Sequence, residues 1–110
     1  MPTLDLSPAY LQMLVPIVRA HAPDAEVWAY GSRVTGRGHE GSDLDLVIRN
    51  PERLDAPQKN LHELRHALNE SNLPFLVEVL DWARMPEEFR REIERNHVVL
   101  LLSRGLHSTS

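Results

Sequence analysis

The chain of 110 residues carries a formal net charge of −4 and contains no cysteine. This is the length of a single domain with one core, because a chain of this size buries roughly two-thirds of its surface on folding. The lack of cysteine excludes disulfides and thiolate zinc sites. The acidic balance argues against direct nucleic-acid binding, which needs a basic patch. No stretch is long and apolar enough to span a bilayer and no signal peptide is evident, so we expect a cytoplasmic protein without a membrane partner.

The first predicted element is a helix that begins at Ser7-Pro8, with Ser7 as the N-cap and Pro8 at the first helical position. Its apolar residues recur at helical spacing and predict a face that packs on a sheet. Pro16 lies inside this pattern and removes one backbone hydrogen bond, so the helix is predicted to kink or end there. The apolar residues are Leu11, Leu14, Val15 and Val18.

The first predicted strand, from about Ala25 to Tyr30, runs into Gly31-Ser32. If a helical turn follows Gly31, its backbone N–H groups and the Ser32 hydroxyl converge with the positive end of the helix dipole behind them. Glycine also lets a ligand approach the backbone closely. The pattern therefore predicts a phosphate-binding turn at Gly31 and Ser32.

The second predicted strand begins with alternating acidic and apolar residues, Asp43-Leu44-Asp45-Leu46. A period of two places Asp43 and Asp45 on one face. Like charges on one face of a sheet are destabilising, and a divalent cation removes that conflict. Carboxylate ligands select a hard ion, so the pair predicts a Mg²⁺ or Mn²⁺ site that shares its ion with substrate phosphates.

The glycine-rich residues 36–41 match G-x-G-x-x-G, and Gly31 to Gly36 have the glycine spacing of a Walker A loop. The dinucleotide motif requires a preceding strand and a following helix, whereas here a strand follows. Arg37-Gly38 occupies the positions of the Walker lysine and hydroxyl. We therefore interpret these residues as a flexible loop between two elements.

The arrangement Gly31-Ser32, ten intervening residues, then Asp43-x-Asp45 resembles the GSX10DXD motif of the minimal nucleotidyltransferases, a branch of the DNA polymerase β-like superfamily. The resemblance covers nearly the whole chain. It implies an α/β (α+β) fold, with helices packed on a small mixed β-sheet. It also implies two metal ions, ATP as substrate and transfer of a nucleoside monophosphate to a hydroxyl. We expect residues 1–102 to form this domain and residues 103–110 to be a flexible tail.

A third segment, from about Ala56 to Glu70, has leucines at helical spacing and contains His62-Glu63-Leu64-Arg65-His66. This sequence matches the H-E-x-x-H motif of zinc proteases. Such short patterns recur by chance, and neither His97 nor His107 has a recognised spacing for a third ligand. A solvated helix face is the interpretation that we favour.

The third predicted strand, Phe75 to Leu80, is apolar except for Glu78. A charge in an apolar strand needs a reason. The resemblance implies that Glu78 stands where the family usually carries a third metal-binding aspartate, with one methylene more. Asp81 is a fallback ligand, but its odd offset from Glu78 puts it on the opposite face, and a turn or cap role is preferred.

The last predicted helix starts at Pro86 and has acidic residues in its first turn. Phe89 and Ile93 are predicted to form its buried edge, and arginines its solvated outer side. The apolar run 98–102 then predicts a fourth strand or a packed tail. The arginines are Arg90, Arg91 and Arg95.

By the resemblance, Asp43, Asp45 and Glu78 hold Mg²⁺ or Mn²⁺, and Gly31 and Ser32 hold the triphosphate of ATP. Arg33 or Arg37 adds a phosphate contact. The small size resembles the antitoxin half of HEPN–MNT toxin–antitoxin pairs, which implies transfer of AMP to a tyrosine of a HEPN ribonuclease partner. Two alternatives remain open: an inactive subunit that neutralises its partner by contact, and transfer to a small molecule such as an aminoglycoside.

Overall fold

A computed structural model describes residues 3–36 and 42–101 of the chain. Within these ranges, helices and strands alternate along most of the sequence, as the apolar patterns predict. We number the elements in chain order. They are α1 (Pro8–His21), β1 (Glu26–Tyr30), α2 (Ser32–Thr35), β2 (Leu44–Arg49), α3 (Leu61–Asn69), β3 (Val77–Asp81), a 3-10 turn (Trp82–Arg84), α4 (Glu87–Arg95) and β4 (Val98–Leu101).

The strands of the described residues form one four-stranded sheet in the order β3-β2-β1-β4. Strand β1 pairs antiparallel with both β2 and β4. Strand β2 pairs in parallel with β3, and helix α3 lies in the connection between them, as a parallel crossover requires. The predicted mixed sheet with helices packed on it is confirmed.

One face of the sheet is covered by α1 and α3. Leu14 and Val18 of α1 and Leu64 and Leu68 of α3 are each at most 1% exposed. They belong to one core cluster with alternate residues of the three adjacent strands. The strand residues that share this core include Val27, Ala29, Leu44, Leu46, Ile48, Val77 and Val79.

The opposite face carries a second, smaller core under α4 and the 3-10 turn. Trp28 and Trp82 meet edge to face, with ring centroids 5.3 Å apart, and the Arg49 guanidinium lies over both rings. Ile93 of α4 is buried in the same cluster. Tyr30 also belongs to this cluster, so the second core extends as far as the residue that is paired with Asp45 of β2.

Helix α1 begins at Pro8 as predicted, and the Ser7 hydroxyl accepts a hydrogen bond from the Ala9 N–H at 3.3 Å. The helix does not end at Pro16 but continues to His21. Leu14 and Val18 are buried on either side of Pro16. Their packing stabilises the helix across the one backbone hydrogen bond that proline cannot donate.

The predicted boundaries of α3 and β3 differ from the structure by several residues. Helix α3 begins at Leu61 and not near residue 56, because the Gln58 N–H donates to the Asp81 carboxylate at 2.8 Å and holds the preceding chain outside the helix. Strand β3 is Val77–Asp81, and the Leu76 side chain before it is 61% exposed. The predicted cap role of Asp81 is confirmed, since it also accepts from the Ala83 N–H.

Helix α4 presents its side chains differently from the prediction. Ile93 is buried, but Phe89 is 38% exposed, so the predicted buried edge is wrong for Phe89. Arg90 was expected on the solvated side with Arg91. Instead its Nε donates to the Trp82 carbonyl at 2.9 Å, and its guanidinium lies over the Trp82 ring.

The apolar run near the end of the chain forms strand β4, Val98–Leu101, beside β1. This decides between the two predicted alternatives, a strand and a packed tail, for the described part of the run. The predicted flexible tail, residues 103–110, lies outside the described residues. Among the helices that are described, none is both long and apolar enough to cross a membrane.

Candidate functional site

Three polar side chains line up across three neighbouring strands, near one end of the sheet. Asp45 of β2 is paired directly with Tyr30 of β1 and with Glu78 of β3. Directly opposed residues in neighbouring strands project from the same face. Asp43 shares that face by its even offset from Asp45, but it lies one residue before β2 and is exposed. The structure therefore brings Asp45 and Glu78 together, as predicted, and places Asp43 at their border.

The carboxyl group of Asp45 is strongly influenced by its surroundings. Burial is the main cause that raises its pKa to about 6, followed by the negative charge of Glu78, a hydrogen bond with the Glu78 side chain and the charge of Asp43. Desolvation and like charges both disfavour an ionised carboxylate. Without a cation, Asp45 therefore retains its proton up to about pH 6, well above the usual range of an aspartate.

Tyr30 forms the other flank of this carboxylate pair. It is buried, and burial together with the charges of Asp45 and Glu78 raises the pKa of its hydroxyl above the usual range, so the ring stays neutral. The ring packs edge to face against Phe89 of α4, with centroids 5.8 Å apart. The carboxylates therefore lie beside an aromatic pair, of which Phe89 is the exposed member.

Gly31 makes room for the Asp45 carboxylate. A Cβ atom at this position would overlap Asp45 Oδ2, and the backbone has φ +81°, which favours glycine. The helical turn expected after Gly31 is confirmed as α2, and the Val34 N–H donates to the Gly31 carbonyl at 3.1 Å. Ser32, the first residue of that turn, is half-buried. The turn thus lies directly beside Asp45.

Arg33 is used by the fold and not, as its predicted role requires, by an open phosphate site. It is 5% exposed, and its guanidinium donates to the carbonyls of Asp5 at 2.8 Å and Ser42 at 3.0 Å. It also lies 4.4 Å from the centroid of the Phe75 ring. These contacts favour a structural role over the predicted phosphate contact, because they attach the segments before α1 and before β2 to α2. Arg37, the other predicted phosphate ligand, lies outside the described residues.

The donor set fits a hard divalent cation. Asp45 and Glu78 offer carboxylate oxygens from neighbouring strands, and the charge of Glu78 raises the electrostatic cost of ionising Asp45, a cost that a cation would reduce. Within residues 3–36 and 42–101, no three acidic or histidine side chains are already grouped closely enough to hold an ion. Asp43 is the member that would have to move closer.

The histidines of the H-E-L-R-H sequence do not form a zinc site in the part of the chain that is described. His62 and His66 are both exposed on α3, and no third histidine or acidic residue there completes a metal group. The preferred interpretation of a solvated helix face agrees with their exposure. His107 lies outside the described residues.

Tyr30 is the site residue that sequence reasoning missed, since it was taken only as the end of a strand. The signal lay in the order of the elements. Strands that follow one another in the chain often pair, and when they pair antiparallel the end of the first lies opposite the start of the second. This places Tyr30 next to Asp45.

Comparison with protein families and curated proteins identifies the family of this chain. The family model described as "Nucleotidyltransferase domain" matches residues 11–101. The chain is also 41% identical over 97 residues to a "Probable protein adenylyltransferase MntA" from Haemophilus influenzae. That alignment covers 88% of this chain and 83% of the relative.

Solved structures show the same fold. A crystal structure of a toxin–antitoxin with AMP-PNP matches with a TM-score of 0.68 at 18% identity, over 86% of this chain and 75% of that one. A mutant of the MntA-HpeT toxin–antitoxin matches with a TM-score of 0.67 at 16% identity and the same coverage. With the family match over most of the chain, these findings mean that the protein belongs to the nucleotidyltransferase domain family and is a nucleotidyltransferase.

Proposed function

We propose that this nucleotidyltransferase is a protein adenylyltransferase that acts as an antitoxin, transferring AMP from ATP to a tyrosine of a HEPN ribonuclease toxin. The observation that carries the proposal is the 41% identity to a probable protein adenylyltransferase over most of both chains. Two toxin–antitoxin structures with the same fold support it. The carboxylate pair at the open end of the sheet provides the site.

Asp45, Glu78, Gly31 and Ser32 have positions that suit their roles in this proposal. Asp45 and Glu78, joined by Asp43, would hold Mg²⁺ or Mn²⁺. Such ions polarise phosphoryl oxygens and stabilise the charge on the leaving group. Asp45 must lose its proton to act as a ligand, so ion binding is expected to release protons near pH 6. Gly31 and Ser32, in the turn beside Asp45, would hold the triphosphate.

The chemical step joins the tyrosine oxygen of the acceptor to the α-phosphorus of ATP. The bond from that phosphorus to the bridging oxygen of pyrophosphate breaks, and the proton leaves the tyrosine hydroxyl. Tyr30 of this chain is unsuited to be the acceptor, because it is buried and its hydroxyl pKa is raised. The proposed acceptor tyrosine is therefore not Tyr30 but one that the partner brings to the site.

Co-expression with a HEPN protein encoded beside this chain tests the proposal. We expect a complex in which mass spectrometry finds the partner heavier by one or more AMP units on a tyrosine. Asp43→Asn combined with Asp45→Asn should abolish the added mass, whereas Asp55→Asn, in an exposed loop, should not. An unmodified partner in the presence of ATP and Mg²⁺ would refute transfer to this partner.

One observation favours a second candidate, an inactive subunit that neutralises the toxin by contact. The third carboxylate is Glu78 and not aspartate. For this candidate, the complex would form without added mass, and neutralisation would persist in Asp43→Asn. The same co-expression experiment therefore separates the two functions.

A further inference from the structure

A groove follows the outer edge of β3 from the carboxylate site towards helix α4. Its first part, about 340 Å³, is lined by Glu78 and by residues of α3. Its second part, about 570 Å³, reaches Met85 and Phe89. Arg65 and Leu80 line both parts, so the two adjoin. Volumes of this size are those of ordinary ligand sites.

The backbone at this edge is already hydrogen-bonded to side chains of α3. Asn69 Oδ1 accepts from the Val77 N–H at 3.3 Å. Arg65 donates from both Nε and Nη2 to the Val79 carbonyl, at 2.9 and 2.7 Å. Sheet edges capped in this way do not accept an additional strand. An occupant of the groove is therefore bound through its side chains and not by extending the sheet.

The floor of the second part is apolar and lies close to the carboxylate site. It consists of Leu80, Met85 and Phe89. Leu80 projects from the same face as Glu78, two residues farther along β3, or roughly 7 Å. Phe89 contacts Tyr30, which flanks Asp45. A ring on this floor is therefore within one side chain's length of the carboxylates.

The wall of the groove is basic, although the chain as a whole carries a net charge of −4. Arg65 and Arg84 line it. The Arg84 side chain is 72% exposed, whereas the carboxylate of Asp81, 3.6 Å from its Nε, is 2% exposed. Asp81 also accepts the backbone N–H groups of Gln58 and Ala83. Its charge is thus turned inward, and the outward surface of the wall is positive.

We infer that this groove binds the acceptor segment of the protein substrate, and that this segment carries carboxylates beside the aromatic residue that is modified. This inference rests on the proposed function and adds the chemistry of its substrate. An aromatic side chain suits the apolar floor, and flanking Asp or Glu side chains suit Arg65 and Arg84. A nucleotide base suits the groove less well, because it offers the two arginines no negative charge.

Two labelled peptides test this inference with the full chain at low salt. Fluorescence anisotropy compares Glu-Glu-Tyr-Glu-Glu with Lys-Lys-Tyr-Lys-Lys, each carrying fluorescein. We expect the acidic peptide to bind and the basic one not to, with affinity that falls as salt is added. Equal binding of the two peptides would overturn the inference.

Charge variants locate the binding to the groove. Arg84→Glu should weaken binding of the acidic peptide by about tenfold, because the substitution places a negative charge opposite the carboxylates of the peptide. Arg91→Glu is the matched control, since Arg91 is similarly exposed, at 64%, and lies on α4 outside the groove. Arg84→Gln and Arg91→Gln repeat the comparison without adding a negative charge beside Asp81. Equal losses for positions 84 and 91 would overturn the inference.

Two further measurements distinguish the groove from a nucleotide site and from the proposed function. Calorimetry with ATP and Mg²⁺ should give the same affinity for Arg84→Gln as for the unaltered chain, and a loss there would reassign the groove to the nucleotide and overturn the inference. Peptide binding should also persist in Asp43→Asn. Selective binding of the acidic peptide without AMP transfer to any tyrosine would support the inference about the groove. It would count only against the proposed adenylyl transfer.

Discussion

The two faces of strand β2 differ in the polarity of their side chains and in the residues that surround them. Leu44, Leu46 and Ile48 face α1 and α3 and are at most 1% exposed. Asp45, between the first two, faces the other way, where its pKa is raised by partial burial and by Glu78. The face towards α1 and α3 contributes hydrophobic free energy along the whole strand, whereas the other face carries at Asp45 a charge that opposes folding. Adjacent residues of β2 thus serve stability and the candidate site in alternation. Substitutions at these residues should therefore separate effects on folding from effects on catalysis.

Leu46→Ala should have the largest effect on stability. Truncation of a leucine that is 0% exposed removes buried area and leaves a cavity, at a cost of about 2–5 kcal/mol in the free energy of unfolding. Urea denaturation measures this loss. Leu76→Ala is the control, because Leu76 is 61% exposed, and its effect should stay within about 0.5 kcal/mol. Similar losses at the two positions would contradict the assignment of the covered face.

Asp45→Asn should lower activity and leave stability intact, whereas Leu46→Ala should lower stability. It removes a predicted metal ligand, so nucleotidyl transfer should fall by about 100-fold or more, as expected when several kcal/mol of transition-state stabilisation are lost. Stability should not decrease, because the ionised carboxylate opposes folding. Incorporation of labelled AMP and urea denaturation measure the two quantities. Activity within a factor of two of the unaltered chain would exclude Asp45 from the site.

Gly31→Ala tests how closely the turn and the carboxylate are fitted. The backbone at Gly31 has φ +81° and ψ −154°, a region that costs other residues about 1–3 kcal/mol. Its Cβ would also displace Asp45, and a misplaced catalytic group costs about 100-fold in rate. Gly36→Ala is the control, because Gly36 has φ +80° but open space around a Cβ. It should lose stability while its rate per folded molecule stays within about twofold.

The parts of the structure that sequence predicted are those that depend on near neighbours. Alternation fixed the faces of Asp45 and Leu46, and Gly31 marked the turn, because strand period and backbone freedom are local properties. The role of Arg33 could not be predicted in this way, because its hydrogen-bond acceptor Asp5 and the Phe75 ring are distant in sequence.

The Phe89 side chain of helix α4 shows the same limit of prediction from sequence. Helical spacing from Ile93 predicted that Phe89 is buried, since residues four apart share a face. Its actual exposure depends on where the second core ends, which is set by Trp28 and Trp82 of other elements. The groove beside Phe89 therefore has no sequence pattern of its own.

The smallest expected effect is the part of the pH dependence of unfolding that Asp45 causes. Asp45 has its pKa raised from 3.8 to about 6 in the folded chain, mainly by burial. Between these values the folded state binds more protons than the unfolded state, so this group lowers stability as pH rises through that window, with its full cost above about pH 6. In EDTA, Asp45→Asn should therefore unfold at the same urea concentration as the unaltered chain near pH 3.5 but at a higher one near pH 7.5. Glu78→Gln should narrow the pH range over which stability falls, because it removes the largest charge acting on Asp45. If the difference in unfolding between Asp45→Asn and the unaltered chain does not change with pH, Asp45 has no raised pKa.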